Sequence, residues 1–496
     1  MAPFTVSFAG IILALAQLCF CLLGVKLVYN IFFHPLAKYP GPLLMRASRI
    51  PFLQKHITGT LSFEVLDLHK KYGDVVRVAP NELAFADARA WKDIMGIRRG
   101  RPEMEKWDKF YRPIPGMATN IVNSGREEHG LLRRQLAHGF SDQSMHKQQP
   151  LIKKYVDLLI HRLYENGPRQ GKAVNMAAWY NFTTFDIISD LAFGEPFGCL
   201  DNSDYHPWVR SIFETTRMGI ILQSSSHYPL FQKMLLSLVP EKAKIESRKN
   251  SEFTKAKLMK RMEQGADRPD LIEGLLKKRG EWDMDMGRLE SNSSILITGG
   301  SETTATLLSG VTYHLLTNPA AFETLNTEIR SAFQTEDEID FRAVGELKYL
   351  SACLDEGLRM YPSVPFGMPR LVPAGGAMVA GSFVPEGNAV AVHQWAMYHN
   401  DKHFRDPFSY RPERWLGDPY FVGDNKDAFQ PFHLGTRNCI GRNLAYVEMR
   451  LILARILWNF DMELASDSAD WLTKQKIFIL WEKGPLNVHL TPVKRS

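Results

Sequence analysis

Residues 432–441 read Phe432-His433-Leu434-Gly435-Thr436-Arg437-Asn438-Cys439-Ile440-Gly441, and a helical window over Ile440–Trp458 follows them. A thiolate near the start of a helix is stabilised by the helix dipole and by backbone N–H groups without partners in the first turn. Gly435 permits a tight turn beneath a flat cofactor, and Gly441 lets the helix approach it closely. Arg437, one residue removed from the cysteine, is suited to pairing with a carboxylate on that cofactor. Most lone cysteines are buried structural residues. Here four other positions meet the requirement at fixed spacing, which argues for a ligand.

Upstream, Thr298-Gly299-Gly300-Ser301-Glu302-Thr303-Thr304 lies in a long helical window, Met286–Leu316. Each glycine costs a helix about 1 kcal/mol relative to alanine, so the pair needs a reason. A helix ending at Gly300, with Ser301 capping another, is one explanation. The phase favours a single, locally loosened helix, because Leu296, Gly300, Thr304, Leu307, Val311 and Leu315 form an unbroken stripe. Gly299, Thr303, Thr306 and Gly310 make a neighbouring face of small residues, along which something broad can lie close to the backbone. Thr303 and Glu302 add a hydroxyl and a carboxylate within one turn, suited to passing protons toward a bound dioxygen.

These two segments resemble the cytochrome P-450 superfamily of haem-thiolate monooxygenases. Residues 432–441 match every fixed position of its signature, Phe-x-x-Gly-x-Arg-x-Cys-x-Gly, and residues 299–303 match its distal-helix motif, Ala/Gly-Gly-x-Asp/Glu-Thr. The resemblance implies haem b with Cys439 as axial thiolate ligand and Arg437 on a propionate, with Phe432, Gly441 and Gly299 lining the cofactor. It assigns Thr303 to stabilising the activated oxygen and Glu302 to proton supply. Family members that rearrange peroxides without activating oxygen commonly lose the threonine, and this chain keeps it. Glu356-Gly357-Leu358-Arg359 alone would be a solvated pair worth a few tenths of a kcal/mol. The family locks such a pair to an arginine in a later loop, here Arg414 in Pro412-Glu413-Arg414-Trp415, so Glu356, Arg359 and Arg414 are expected as a structural triad beneath the haem. The family often has Trp-x-x-x-Arg where this chain has His129 and Arg133, both expected on a propionate. Arg370, after Pro369, occupies the third propionate-binding position.

The remaining sequence agrees with a globular enzyme. Its 496 residues are 45% apolar and 23% charged, and its net charge of +6 is spread without long runs, which gives no sign of nucleic-acid binding. Five cysteines cannot make a disulfide framework. Ala2 to Val25 carries no charge, and the apolar run continues past the one plausible signal cleavage site, Ala14-Leu15-Ala16. It reads as a membrane anchor whose downstream basic residues place the body in the cytoplasm. Expected units are an anchor (1–28), a proline-rich hinge (29–45) and one haem-binding catalytic domain (46–496).

The expected fold is mainly α with small β-sheets (α+β), the cytochrome P-450 fold behind an N-terminal transmembrane helix. A hairpin is predicted over Val75–Phe85 with Pro80-Asn81 as its turn. Helices are predicted at Glu127–Phe140, Leu151–Leu163 and Phe182–Phe193, among others. Pro407–Cys439 reads as a long functional loop. Apolar substrate walls are predicted from Tyr111–Val122, Trp208–Ser226, Val364–Met368 and Lys476–Leu480, notably Phe366, Ile477 and Phe478.

The resemblance implies insertion of one oxygen atom from O2 into a small lipophilic substrate, by a protein of the endoplasmic reticulum membrane. Gly300–Thr306 and Glu346–Leu350 resemble filamentous-fungal members of secondary metabolism. With no room for a fused flavin domain after Ser496, electrons are expected from NADPH through a separate reductase docking near Arg134 and Arg442, with cytochrome b5 as an optional second donor. The alternatives are a haem-thiolate isomerase or dehydratase that uses no reductant, and a non-catalytic haem- or sterol-binding membrane protein.

Overall fold

A computed structural model describes residues 8–98, 100, 103–265, 268, 270–277 and 284–495. The first seven residues of the expected anchor therefore lie outside the described residues. From Phe8 to Val28 the anchor is a continuous helix with no buried residue. It ends in a wider turn at Tyr29–Phe33. An apolar helix exposed along its whole length is what a membrane span requires.

The proline-rich segment is helical at its ends, Tyr29–Phe33 and Leu43–Ala47, and non-helical over 34–42, where it packs on the body. Leu36 and Tyr39 are buried in a core beside the first hairpin. The Tyr39 hydroxyl donates to the Phe383 carbonyl at 2.5 Å, and the Arg77 amide donates to the Pro40 carbonyl at 2.7 Å. A Cβ on Gly41 would stand 2.3 Å from the Arg77 carbonyl oxygen, so backbone meets backbone here. The strap fixes the end of the anchor to the body.

Helices dominate the body. The central one runs unbroken over Met286–Leu316, as the phase predicts, and Asp285 caps it by accepting from the Arg288 amide. It packs along Met176–Phe193, a helix apolar nearly all round and therefore buried on every side. That helix begins six residues before the predicted Phe182, where the Asn175 side chain accepts from the Ala178 amide. The Asp142–Asn166 helix also starts earlier than predicted. The helix passes through Pro150 from a Ser141 cap. Its buried stripe (Ile152, Tyr155, Val156, Leu159 and Leu163) outweighs the roughly 3 kcal/mol an interior proline costs.

The strands lie toward the two ends of the sequence, apart from Val174–Asn175, which pairs with Asn487–Pro492. Val75–Ala79 and Glu82–Phe85 form the predicted hairpin, extended by Ala389–Ala391, Arg370–Leu371 and Glu105–Lys106 into a five-stranded sheet. At its far edge Lys106 stands opposite Arg370. Pro407–Cys439 is irregular but built, with short 3-10 turns at Pro412–Trp415, Pro419–Phe421, Lys426–Ala428 and Gly435–Arg437.

Candidate functional site

The Cys439 loop closes one wall of a cavity whose opposite wall is the glycine pair of the central helix. Gly299, Gly300, Thr303 and Thr304 face it from one side, and Phe432, Arg437, Cys439 and Gly441 from the other. The Cys439 amide donates to the Phe432 carbonyl at 2.9 Å, which closes the loop before the Arg442–Asn459 helix. The cysteine side chain is open to the cavity while enclosed by the protein. Burial pushes its thiol up, against the pull of the Gly441 N–H and the guanidinium groups of Arg133 and Arg442. The thiolate expected from the helix start alone therefore needs a bound cation as well.

The two helix glycines have separate causes. A Cβ on Gly300 would stand 2.7 Å from Ile188 of the neighbouring helix, so this glycine serves close packing. A Cβ on Gly299 would meet nothing within 4 Å, because it would project into the cavity. The small-residue face is open only at Gly299 and Thr303, since Gly310 is filled by Tyr361, 2.3 Å from its ideal Cβ. The Thr303 hydroxyl donates to the Gly299 carbonyl at 2.7 Å. Gly435 differs from the expectation of a turn beneath a cofactor. It has φ +75° as a tight turn demands, but its ideal Cβ would lie 2.1 Å from the Met95 carbonyl oxygen, behind the loop.

One end of the cavity is strongly basic. Lys106, His129, Arg133 and Arg437 line it, and Arg370 backs Lys106 from the next strand. Arg437 is held at 3.0 Å by Glu103 and donates to the Ser124 carbonyl at 2.9 Å. Arg133 donates to the Asn438 carbonyl at 2.6 Å, so it also steadies the cysteine loop. Arg370 is set back from the wall, where it donates to the Tyr111 hydroxyl at 3.1 Å. Burial and the charges of Arg370 and Arg437 push the Lys106 ammonium well below its usual value. Burial, Arg437, Lys106 and Arg133 bring His129 down to about 4, so it stands there neutral. Among the described residues, the cations Lys106, Arg133, Arg370 and Arg437 cluster here around the carboxylate of Glu103. A buried excess of that size calls for an anionic ligand with more than one charge.

These observations test the haem that the sequence suggests, and the residues fit it. They offer a thiol on one face, open backbone on the other, and a cationic end for paired carboxylates.

Glu302 does not belong to the cavity wall. It points off the central helix to Lys483, and Thr306 donates to its Oε1 at 3.3 Å. The carboxyl group that does line the cavity is Glu448, which is buried and hydrogen-bonded with Thr304. Burial raises its pKa to about 8. Sequence reasoning missed both Lys106 and Glu448. A carboxylate on the buried stripe of Leu444, Glu448, Leu451, Ile452 and Arg455 was the available signal for the second.

Glu356, Arg359 and Arg414 come together as expected. Arg359 meets Glu356 at 2.7 Å and Arg414 meets it at 3.3 Å, with all three side chains fully buried. Burial raises the Glu356 carboxyl, and Arg359 and Arg414 outweigh it, holding the group below its usual value.

The predicted apolar walls are only partly correct. Ile121 and Val122 line the cavity, joined by Phe140, Ile188, Ile295 and Leu444. Phe366 instead stacks on His56 and Phe110, and Ile477 and Phe478 are buried away from the cavity.

The cytochrome P450 family model matches residues 40–490. Among curated proteins, the chain is 47% identical to cytochrome P450 monooxygenase tpeC of Talaromyces stipitatus, covering 95% of this chain and 93% of that one. Cytochrome P450 monooxygenase astA of Talaromyces wortmannii is 45% identical, with 97% of each chain covered. The trichothecene C-15 hydroxylase of Fusarium sporotrichioides is also 45% identical, over 95% of this chain and 96% of its own.

Proposed function

The chain belongs to the cytochrome P450 family, and from that premise we propose that it hydroxylates a small lipophilic secondary metabolite with haem held by Cys439. It is a P450 monooxygenase of the kind found in fungal secondary metabolism. The observation that carries the site assignment is the facing of Cys439 and the helix residues Gly299, Gly300 and Thr303 across one cavity with a cationic end.

In this reading Cys439 ligates the iron, and Lys106, Arg133 and Arg437 take the propionates with Arg370 behind them. His129 presents a neutral ring to the same end. Phe432, Gly441 and Gly299 shape the slot. A haem ligated by thiolate supplies the oxygen-activating chemistry, since thiolate donation favours O–O cleavage.

The protein's own share is to place groups around that centre. Thr303 holds a hydroxyl proton at the cavity wall, fixed by the Gly299 carbonyl and by Ser363, which donates to the Thr303 carbonyl at 2.7 Å. Glu302 supplies protons to this hydroxyl from the next position of the helix. The walls of Ile121, Val122, Ile188 and Ile295 exclude water and accept an apolar substrate.

Glu356, Arg359 and Arg414 brace the loops behind the cysteine. Electrons arrive from NADPH through a separate membrane-bound reductase, which docks on the exposed Arg134 and Arg442. The apolar helix at Phe8–Phe33 anchors the protein in the endoplasmic reticulum membrane, with the body in the cytoplasm.

The test is the carbon monoxide difference spectrum of the reduced protein beside that of Cys439→Ala. A strongly red-shifted Soret band lost in the variant supports the assignment. A band typical of histidine-ligated haem in folded protein would overturn it.

A further inference from the structure

Resting on that functional reading, we propose that Asn292 is a positioning residue for substrate selection: its side chain fixes the backbone at Ile121 and so sets how far the Ile121–Val122 wall closes on the cavity.

Residues 118–124 form an irregular turn, closed from inside by two asparagines. The Asn120 amide donates to the Asn123 side chain at 2.7 Å, and the Val122 amide donates to the Asn120 side chain at 2.9 Å. The Ser124 amide donates to the Asn120 carbonyl at 2.9 Å. The Ile121 amide goes elsewhere. It donates at 3.0 Å to Oδ1 of Asn292, 171 positions away on the central helix.

Asn292 is itself fixed. It has no exposed surface, and its Nδ2 donates to the Arg288 carbonyl one helical turn back at 2.9 Å. With the nitrogen committed there, the oxygen is the end presented to Ile121. Ser291 adds a second tie, accepting from the Asn120 side chain at 3.0 Å and donating to the Ala118 carbonyl at 3.3 Å.

The cationic end of the cavity holds the other side of the turn. Lys106 donates to the Val122 carbonyl, and Arg437 donates to the Ser124 carbonyl at 2.9 Å. Ile121 and Val122 therefore reach the cavity from a backbone pinned between the central helix and two of the groups assigned to the propionates. Asn292 does not line the cavity and acts through Ile121. A buried N–H that loses its acceptor must turn toward another, so the turn moves and carries both apolar side chains with it. Both are aliphatic, so the wall sorts ligands by the bulk of an apolar group. A change of one methylene in the fit of such a pocket shifts preference about ten-fold or more.

The experiment uses full-length, haem-loaded protein and two iron-binding probes, imidazole and the bulkier 4-phenylimidazole, titrated by the Soret shift. Hydrogen exchange of peptides spanning 118–124 reports on the turn directly. Asn292→Leu removes the acceptor at similar volume, and Asn292→Asp keeps an oxygen for the Ile121 amide. Asn292→Leu should keep the haem content and hold the imidazole Kd within about two-fold, while the 4-phenylimidazole Kd changes about five-fold or more. Exchange of the turn should quicken about ten-fold. Asn292→Asp should recover most of the parent behaviour. Asn292→Ser, whose shorter side chain cannot reach Ile121, carries the same expectation as the leucine variant should that one fail to load haem. In an Ile121→Ala/Val122→Ala background the effect on 4-phenylimidazole should be lost, as for residues that act through one another. An unchanged ratio of the two Kd values would overturn the proposal, and so would more than half of the effect surviving in that background. A parent without the thiolate-haem band would sink the functional reading and the selection role with it, while quickened exchange of 118–124 would still establish the tie.

Discussion

Arg414 meets Glu356 at 3.3 Å across 58 positions of sequence, with both side chains fully buried. The same carboxylate holds Arg359, the Arg411 amide at 3.0 Å and the Trp415 indole at 2.9 Å. Arg414 also reaches Asp424. The helix carrying Glu356 is thereby locked to the irregular segment that leads to Cys439.

Removing the shared acceptor leaves two guanidinium groups buried without it. Glu356→Ala should cost about 3–5 kcal/mol of stability and abolish haem-loaded protein at physiological temperature. Glu356→Gln, which keeps the shape and part of the hydrogen bonding, should lose less. Urea unfolding together with haem content per folded chain checks both. A Glu356→Ala protein within about 1 kcal/mol of the parent would show that the lock contributes little.

Two glycines near the cavity should respond in opposite ways to alanine. Gly435→Ala forces a Cβ onto the Met95 carbonyl at a left-handed backbone position, so the loop must shift and Cys439 with it. Stability and the thiolate-type carbon monoxide band should both fall. Gly299→Ala adds a methyl group in open cavity space inside a helix. It should stabilise haem-free protein by up to about 1 kcal/mol while weakening haem uptake. Thermal unfolding of the haem-free protein and haem titration separate the two effects, and equal haem affinity in Gly299→Ala would show that this face does not meet the cofactor.

Much of this site was legible because its chemistry sits in contiguous stretches. Residues 432–441 and 299–303 each carry spacing, residue type and helical phase together. The central helix was read with both ends correct, since its stripe continues across the glycines. What stayed hidden depends on pairing distant segments. Lys106 is an unremarkable lysine until its short strand pairs with Arg370. Lys483 matters only because the C-terminal strands bring it to Glu302, and the acid expected at the cavity is consequently turned away from it. The helix predicted from Leu151 starts at Asp142 for the opposite reason, because tertiary burial overrides the helix breaker Pro150.

Thr303→Ala removes the hydroxyl that the central helix anchors on the Gly299 carbonyl at the cavity wall. Haem content and the carbon monoxide band should persist, since the hydroxyl binds only the Gly299 carbonyl of its own helix and the Ser363 contact is to the Thr303 backbone carbonyl, which alanine keeps. With reductase and NADPH, electrons should be diverted to hydrogen peroxide, and product should fall roughly ten- to hundred-fold. Thr303→Ser should restore most of the coupling. The ratio of peroxide to NADPH consumed is the measurement, and full coupling in the alanine variant would remove the role given to this hydroxyl.

Glu448 gives a pH signature of its own. Burial raises its carboxyl from 4.5 to about 8, with the Thr304 hydroxyl acting weakly the other way. The folded protein therefore keeps a proton that the unfolded chain releases near pH 4.5. Its contribution to stability is complete below that pH and is lost as pH rises through about 8. By the size of the shift the loss is at most roughly 5 kcal/mol. Glu448→Gln keeps a neutral hydrogen-bonding group of the same size but cannot ionise. It should match the parent near pH 5 and exceed it in stability by a few kcal/mol near pH 8.5. Urea unfolding of both proteins across this range isolates the effect, because other titrating groups cancel in the difference. A stability difference that stays constant with pH would mean that Glu448 is already ionised in the folded protein and has a partner there.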